Sequence, residues 1–331
     1  MTARSRTEDQ VKAALRVVEE AEATSEEKAE MLMEVAMGLQ QKPQAAEDLE
    51  AALQLYALAL DLCPPEQALL AARIRARRGT ALLAFPAEGA ETIVEAREAF
   101  ETALETLRTE GAAEEVAEAE MNLGLALQNL AGAQMARIQD AIGAYQRALR
   151  TFDRQRFPKE FAILQNNLAT AFLSIPFTDE RGKMREALAV QAFEEGLSVV
   201  NLIDHPSEYA MLQNNLGNAL QYVSSSHRVE NGLRALEAYD EALKVRSARN
   251  APGEYANTIA NKANCLANLP DDPADPAAGN TDNCAAAIAL YREAMVIFQD
   301  LGEREKSTTL QLAIAELAGE TERESLRANG A

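Results

Sequence analysis

One phrase recurs six times along this chain: an alanine, an aromatic ring four residues later, a small residue three further on, then an apolar neighbour. The copies are Ala52-Tyr56-Ala59-Leu60, Ala96-Phe100-Ala103-Leu104, Ala141-Tyr145-Ala148-Leu149, Ala189-Phe193-Gly196-Leu197, Ala235-Tyr239-Ala242-Leu243 and Ala287-Tyr291-Ala294-Met295. The rings stand 44, 45, 48, 46 and 52 residues apart. Positions i, i+4, i+7 and i+8 fall on one helical face. Self-similarity at such a period marks stacked supersecondary units, each burying itself against its neighbours. A chain of 331 residues would ordinarily split into two globular domains, but a solenoid escapes that rule.

Each phrase reads as the second helix of a pair. The first helices align upstream on a small residue: Gly79, Gly124, Ala169, Gly217 and Ala263. A mid-helix glycine costs roughly 1 kcal/mol against alanine, so its return at one register points to close packing. The first pair, around Met31 to Leu39, fits the register only loosely. Ala and Leu are abundant, Trp is absent, and Gly and Pro sit mostly between apolar-periodic segments. That composition is all-helical.

On these residues the chain resembles the tetratricopeptide repeat family, and the run Asn215-Leu216-Gly217-Asn218-Ala219 is close to its consensus. The resemblance spans residues 25–302 as six helix-pair repeats. It implies a right-handed superhelical solenoid of stacked antiparallel helix pairs, with the first helices along a concave wall. The period departs from the family's usual 34 residues. The excess falls between the paired helices: Gly79 to Ala96 is 17 residues, Ala169 to Ala189 is 20 and Ala263 to Ala287 is 24. Either longer helices or longer loops would supply it, and Ser174-Ile175-Pro176-Phe177 and Leu269-Pro270-Asp271-Asp272-Pro273 favour loops. A longer period of about 45 residues with Asn-Asn-Leu-Gly runs is also similar to arrays in bacterial signalling proteins, whose protease-like effector domain has no room here.

The ends read differently. Residues 1–24 are expected to form an N-terminal helix, with Thr7 and Gln10 as its capping signal and Val11, Leu15 and Val18 on one face. Residues 303–331 are expected to hold a capping helix, with Leu310, Ile314 and Leu317 on one face, and a frayed tail.

Thirty-two basic residues against 52 acidic ones give a formal charge of −20. Binders of nucleic acid need clustered excess cations, and anionic membranes repel such a chain. Cys63, Cys265 and Cys284 are odd in number and lack C-x-x-C spacing, so neither a disulfide framework nor a zinc site is expected. No secretory leader or bilayer-length apolar run is visible. A cytoplasmic protein without cofactor is expected.

Asparagine recurs at one register of the first helices, at Asn122, Asn167, Asn215 and Asn261. Asn218 and Asn264 stand three residues on, and Asn166 and Asn214 one residue before. An amide both donates and accepts, which suits an extended peptide backbone. By resemblance, Asn122, Asn167, Asn214, Asn215, Asn218, Asn261 and Asn264 are the candidate peptide-binding residues, apolar pockets lying near Leu125, Ile163, Met211 and Tyr222. The other reading is hydrogen bonding between neighbouring repeats. Arg77 takes the asparagine register one repeat earlier, with Arg73 a turn before it. Guanidinium groups at that spacing suit a carboxylate; the alternative is pairing with Glu95 or Glu98.

Catalytic chemistry has little to stand on. Asp271-Asp272-Pro273-Ala274-Asp275 spells the aspartate-rich motif of terpene cyclases, but Pro273 would break the helix it requires. His205 and His227 lie in inter-helix segments, and no nucleophile has a triad partner. The expectation is a non-enzymatic protein-interaction module that binds a peptide or protein segment, as adaptor, scaffold or assembly chaperone. A self-assembling homo-oligomer and an intracellular signal-peptide receptor are the alternatives.

Overall fold

A computed structural model describes residues 11–329, apart from 13–14, 17, 19–21, 42, 44, 87–88, 176–179, 224–226 and 276–278, with backbone alone at 180–181 and 320–329. The N-terminal capping signal at Thr7 and Gln10 lies outside the described residues. Among the described residues no strand occurs; residues 11–12, 15–16 and 18 are helical, and from Ser25 on thirteen helices follow one another. They are α1 (Ser25–Gln41), α2 (Ala46–Leu62), α3 (Ala68–Ala84), α4 (Glu91–Glu110), α5 (Ala113–Gly132), α6 (Ile138–Ala148), α7 (Pro158–Leu173), α8 (Glu180–Leu197), α9 (Pro206–Tyr222), α10 (Arg228–Leu243), α11 (Pro252–Ala267), α12 (Thr281–Asp300) and α13 (Arg304–Asn329). None is long and apolar enough to cross a membrane.

Local chemistry sets the helix starts. Thr24 and Glu27 form a reciprocal capping box at α1: the Glu27 carboxylate accepts from the Thr24 backbone N–H at 2.7 Å, and Thr24 Oγ1 from that of Glu27 at 3.2 Å. Pro158, Pro206 and Pro252 open α7, α9 and α11, where proline's missing N–H costs nothing and its fixed φ suits the first turn. The long period comes mainly from the helices, 16 to 20 residues long in every pair except for α6 with 11. Four to six residues join the two helices of a pair, apart from residues 268–280 between α11 and α12, and two to nine residues separate one pair from the next.

The chain divides into two units, Met1–Asp153 and Arg154–Ala331. Each contains three helix pairs stacked in solenoid fashion. In the first unit α1–α2, α3–α4 and α5–α6 are the pairs, and α2 and α4 pack against the next pair's first helix. The first helices also meet, α1 with α3 and α3 with α5, whereas α4 and α6 make no comparable approach. The second unit repeats this with α7–α8, α9–α10 and α11–α12, its first helices meeting as α7 with α9 and α9 with α11. In each unit the first helices thus form the tighter side. Val11, Leu15 and Val18 pack on the core of the first pair. Leu310, Ala313, Ile314 and Leu317 of α13 pack on that of the last.

The recurring rings are the cores' largest buried side chains. Tyr56, Phe100, Tyr145, Phe193 and Tyr239 have no accessible surface, and Tyr291 almost none. Three of them lie directly over a first-helix glycine. A Cβ built on Gly79 would sit 2.8 Å from Phe100, one on Gly124 2.5 Å from Tyr145, and one on Gly217 2.6 Å from Tyr239. The glycine therefore makes room for the ring of its own pair. Each tyrosine hydroxyl then reaches a first-helix amide oxygen: Tyr56 donates to Gln40 at 2.7 Å, Tyr145 to Gln128 at 2.8 Å, Tyr239 to Asn218 at 2.7 Å and Tyr291 to Asn264 at 3.5 Å. Burial pushes all four hydroxyls up, that of Tyr291 to about 12, so they remain donors at neutral pH.

Opposite outcomes follow for one substitution at two helical glycines. Gly38→Ala enters open space and should raise stability by about 1 kcal/mol through helix propensity. Gly217→Ala gains the same propensity but drives its methyl into the Tyr239 ring, an overpacking cost of about 1–3 kcal/mol. Thermal unfolding of the two variants followed by circular dichroism should move in opposite directions.

Candidate functional site

The asparagines of α7, α9 and α11 form a continuous chain of side-chain hydrogen bonds within the second unit. Asn261 Nδ2 donates to Asn214 Oδ1 at 3.3 Å, and Asn214 Nδ2 to Asn215 Oδ1 at 3.0 Å. Asn215 Nδ2 donates to Asn166 Oδ1 at 2.8 Å, and Asn166 Nδ2 to Asn167 Oδ1 at 3.2 Å. The two links between helices donate toward the N-terminus, and the two between sequence neighbours donate one residue toward the C-terminus. Asn166 and Asn214 are buried, while Asn167, Asn215 and Asn261 are half-buried. Two chain-end atoms have no hydrogen-bond partner among the described residues: Asn167 Nδ2, a donor, and Asn261 Oδ1, an acceptor.

The amide register therefore joins repeats. Asn214→Ala would leave the Asn261 donor and the Asn215 acceptor unanswered at a buried seam. The expected loss is about 1–3 kcal/mol, measured by urea unfolding.

The second row is likewise engaged. Asn218 accepts the Tyr239 hydroxyl. Asn264 accepts that of Tyr291 and donates to the Tyr222 hydroxyl at 2.7 Å. The Tyr222 ring is 68 % exposed, so Asn264 fixes an aromatic surface in solvent. In the first unit Asn122 reaches only Thr80 Oγ1, at 3.5 Å. Leu125 is exposed, and Ile163 and Met211 are half-buried.

Arg73 and Arg77 meet carboxylates one repeat on. Arg73 grips Glu115 with two contacts, 2.6 and 3.3 Å, and Arg77 reaches Glu118 at 2.6 Å. The Arg73 guanidinium holds the Glu115 carboxyl below the usual range. The acidic partners expected for this pair, Glu95 and Glu98, lie elsewhere: Glu95 pairs with Arg78 at 3.0 Å. Spacings of 42 and 41 residues are one repeat, which places α3 and α5 side by side on the tighter side. These residues, with Thr80, Ala119 and Asn122, line a shallow recess between α3 and α5.

A polar centre not anticipated from sequence lies beneath. Glu120 is 2 % exposed and bound by Arg147 at 2.9 and 2.8 Å and by Arg108 at 2.6 Å. Burial alone would raise its carboxyl, but the two guanidinium groups outweigh that and hold it below the ordinary range. It stands four residues before Gly124, the position occupied by Gln165 and Gln213 in the following repeats. An acid in place of those amides on a core-facing register was the available signal.

Asp271 of the aspartate-rich motif serves the helix that follows. Its carboxylate accepts from the backbone N–H of Asp282 and Asn283, at 3.1 and 2.8 Å, in the first turn of α12. Among the described residues no three His, Cys, Asp or Glu side chains converge as a metal site. His205 and His227 each occupy the position before a helix, α9 and α10.

Fold and surface define a helical repeat protein whose polar residues run between neighbouring first helices. No family model and no curated protein match the sequence. Two solved structures are similar at low level. One is a Rap protein complexed with competence and sporulation factor, at 9 % identity and TM-score 0.40, covering 96 % of this chain and 99 % of that one. The other is a computationally designed self-assembling cyclic homo-oligomer, at 14 % identity and TM-score 0.13, covering 98 % and 95 %.

Proposed function

We propose that this chain is a non-catalytic interaction module of tetratricopeptide-repeat type that holds an extended peptide or protein segment along its first helices. It would act in the cytoplasm as an adaptor, scaffold or assembly chaperone. The observation that carries the reading is the amide chain of α7, α9 and α11. Its internal members are occupied with one another, which fixes the orientation of both ends and leaves one donor, on Asn167, and one acceptor, on Asn261, unanswered. An extended peptide offers alternating C=O and N–H groups to such atoms. Fixing them before binding lowers the entropic cost of association. The ring of Tyr222, held by Asn264, supplies apolar contact beside them.

Of the candidate residues, Asn167 and Asn261 are then ligand-facing, with Tyr222 beside them, Asn166, Asn214 and Asn215 support them, and Asn218 holds Tyr239. Arg73 and Arg77 would greet a carboxylate only by exchanging it for Glu115 and Glu118. The test begins with a partner recovered from the native host and measured by calorimetry. Asn167→Ala with Asn261→Ala should weaken binding about tenfold or more, in line with the loss of two hydrogen bonds. It also leaves the buried Asn166 donor and Asn214 acceptor without those partners, so the melting temperature should fall and affinity is measured well below it. Unaltered affinity in that double variant would sink the reading.

A further inference from the structure

A second recess opens in the first unit, between α4 and α6, over the side where second helices diverge. It measures about 900 Å³ with its solvent-filled mouth included. Leu123 and Leu127 of α5, both largely buried, form an apolar floor, and Met135 stands at the rim. Three guanidinium groups line it, those of Arg97, Arg137 and Arg147, against two carboxylates, Glu101 and Asp140. Glu120 and Glu98 also approach Arg147 and Arg97, from outside the lining.

The three arginines are not equally engaged. Arg147 is held in two-point fashion by Glu120, and Arg137 by Asp140 at 2.8 and 3.0 Å. Arg97 makes no hydrogen bond: Glu98 and Glu101 stand at 3.8 Å, and its Nε is buried without a partner. A buried donor left unanswered costs the full desolvation of that group. A guanidinium edge is shaped for a planar two-oxygen acceptor.

We propose that this recess binds a carboxylate carried on a small apolar body. The carboxylate would accept from the Arg97 guanidinium in place of Glu101, the side chain turning its edge to the recess because Nε has almost no accessible surface where it stands, and the apolar part would lie on Leu123 and Leu127. Arg137 and Arg147 are already paired with Asp140 and Glu120, so Arg97 is the guanidinium left to take the anion, and Gly143, without a side chain, leaves the wall of α6 open. Such a group comes either from a free organic acid or from the C-terminal residue of a protein. The site is separate from the amides of the second unit and does not depend on them.

Calorimetry on the full-length protein at low ionic strength tests this with 4-methylvalerate, acetate, inorganic phosphate, and acetyl-Ala-Ala-Leu as free acid or amide. 4-Methylvalerate should bind saturably, at least tenfold tighter than acetate or phosphate. Arg97→Gln should lower that affinity at least tenfold and Arg97→Lys by less, while Arg249→Gln, an exposed change in the other unit, should have no effect. Tighter binding of the free-acid tripeptide than of 4-methylvalerate assigns the recess to a chain end; the reverse order assigns it to a free acid. Absence of saturable binding by both carboxylates, phosphate binding as tight as 4-methylvalerate, or undiminished binding to Arg97→Gln would overturn the proposal.

Discussion

Tyr239→Ala is expected to destabilise the second unit by about 3–5 kcal/mol, the usual cost of deleting a fully buried ring. The ring has no accessible surface and fills the space that Gly217 leaves open, so the surrounding helices cannot collapse onto the cavity without moving α9 against α10. Tyr239→Phe should cost far less, about 0.5–1.5 kcal/mol for one hydrogen bond, because Phe100 and Phe193 fill equivalent positions without a hydroxyl. Urea unfolding followed by far-ultraviolet circular dichroism separates the two. A similar loss in both variants would place the stabilisation in the Tyr239–Asn218 hydrogen bond rather than in ring packing.

The second large effect concerns charge. Removing both partners of Glu120, as Arg108→Ala with Arg147→Ala, should cost about 3–5 kcal/mol at neutral pH, because a buried carboxylate is then left uncompensated. Glu120→Gln should cost less, since the arginine side chains, 51 % and 41 % exposed, can return to water. The pH dependence gives a sharper sign. In the native protein the Glu120 pKa is depressed. Its contribution is therefore present above the unfolded value, about 4.3, and is lost as pH falls through the lower folded value. In the double variant burial acts alone and raises the folded pKa. That group's contribution then becomes unfavourable as pH rises above about 4.3. The stability difference between native protein and double variant should accordingly shrink on acidification from pH 7 to pH 4. A constant difference over that range would contradict the account.

Much of this was legible in the sequence because repetition averages out local ambiguity. The ring and the small residue each recur at fixed register, and Gly124 meeting Tyr145 is the literal form of that pattern. The partners of polar residues were harder to read. Asn215 bonds Asn166, 49 positions back, so a residue in the aligned register pairs with one offset from it, a relation set by the stagger of α7 against α9. Arg73 met Glu115 for a similar reason: the neighbour that matters is the next first helix, whereas Glu95 lies on the helix that follows in sequence. The long period also had two readings until the helix lengths decided it. The break between Asp153 and Arg154 has no counterpart in the spacing of the rings.

The most direct measurement is solvent exchange of the asparagine side-chain amides by nuclear magnetic resonance in the free protein. With the stacked first helices bound through their own asparagines, the Nδ2 protons of Asn166, Asn214 and Asn215 exchange slowly and that of Asn167 at the rate of an exposed amide. Uniformly fast exchange across all four would mean that the amides face solvent and do not link the repeats.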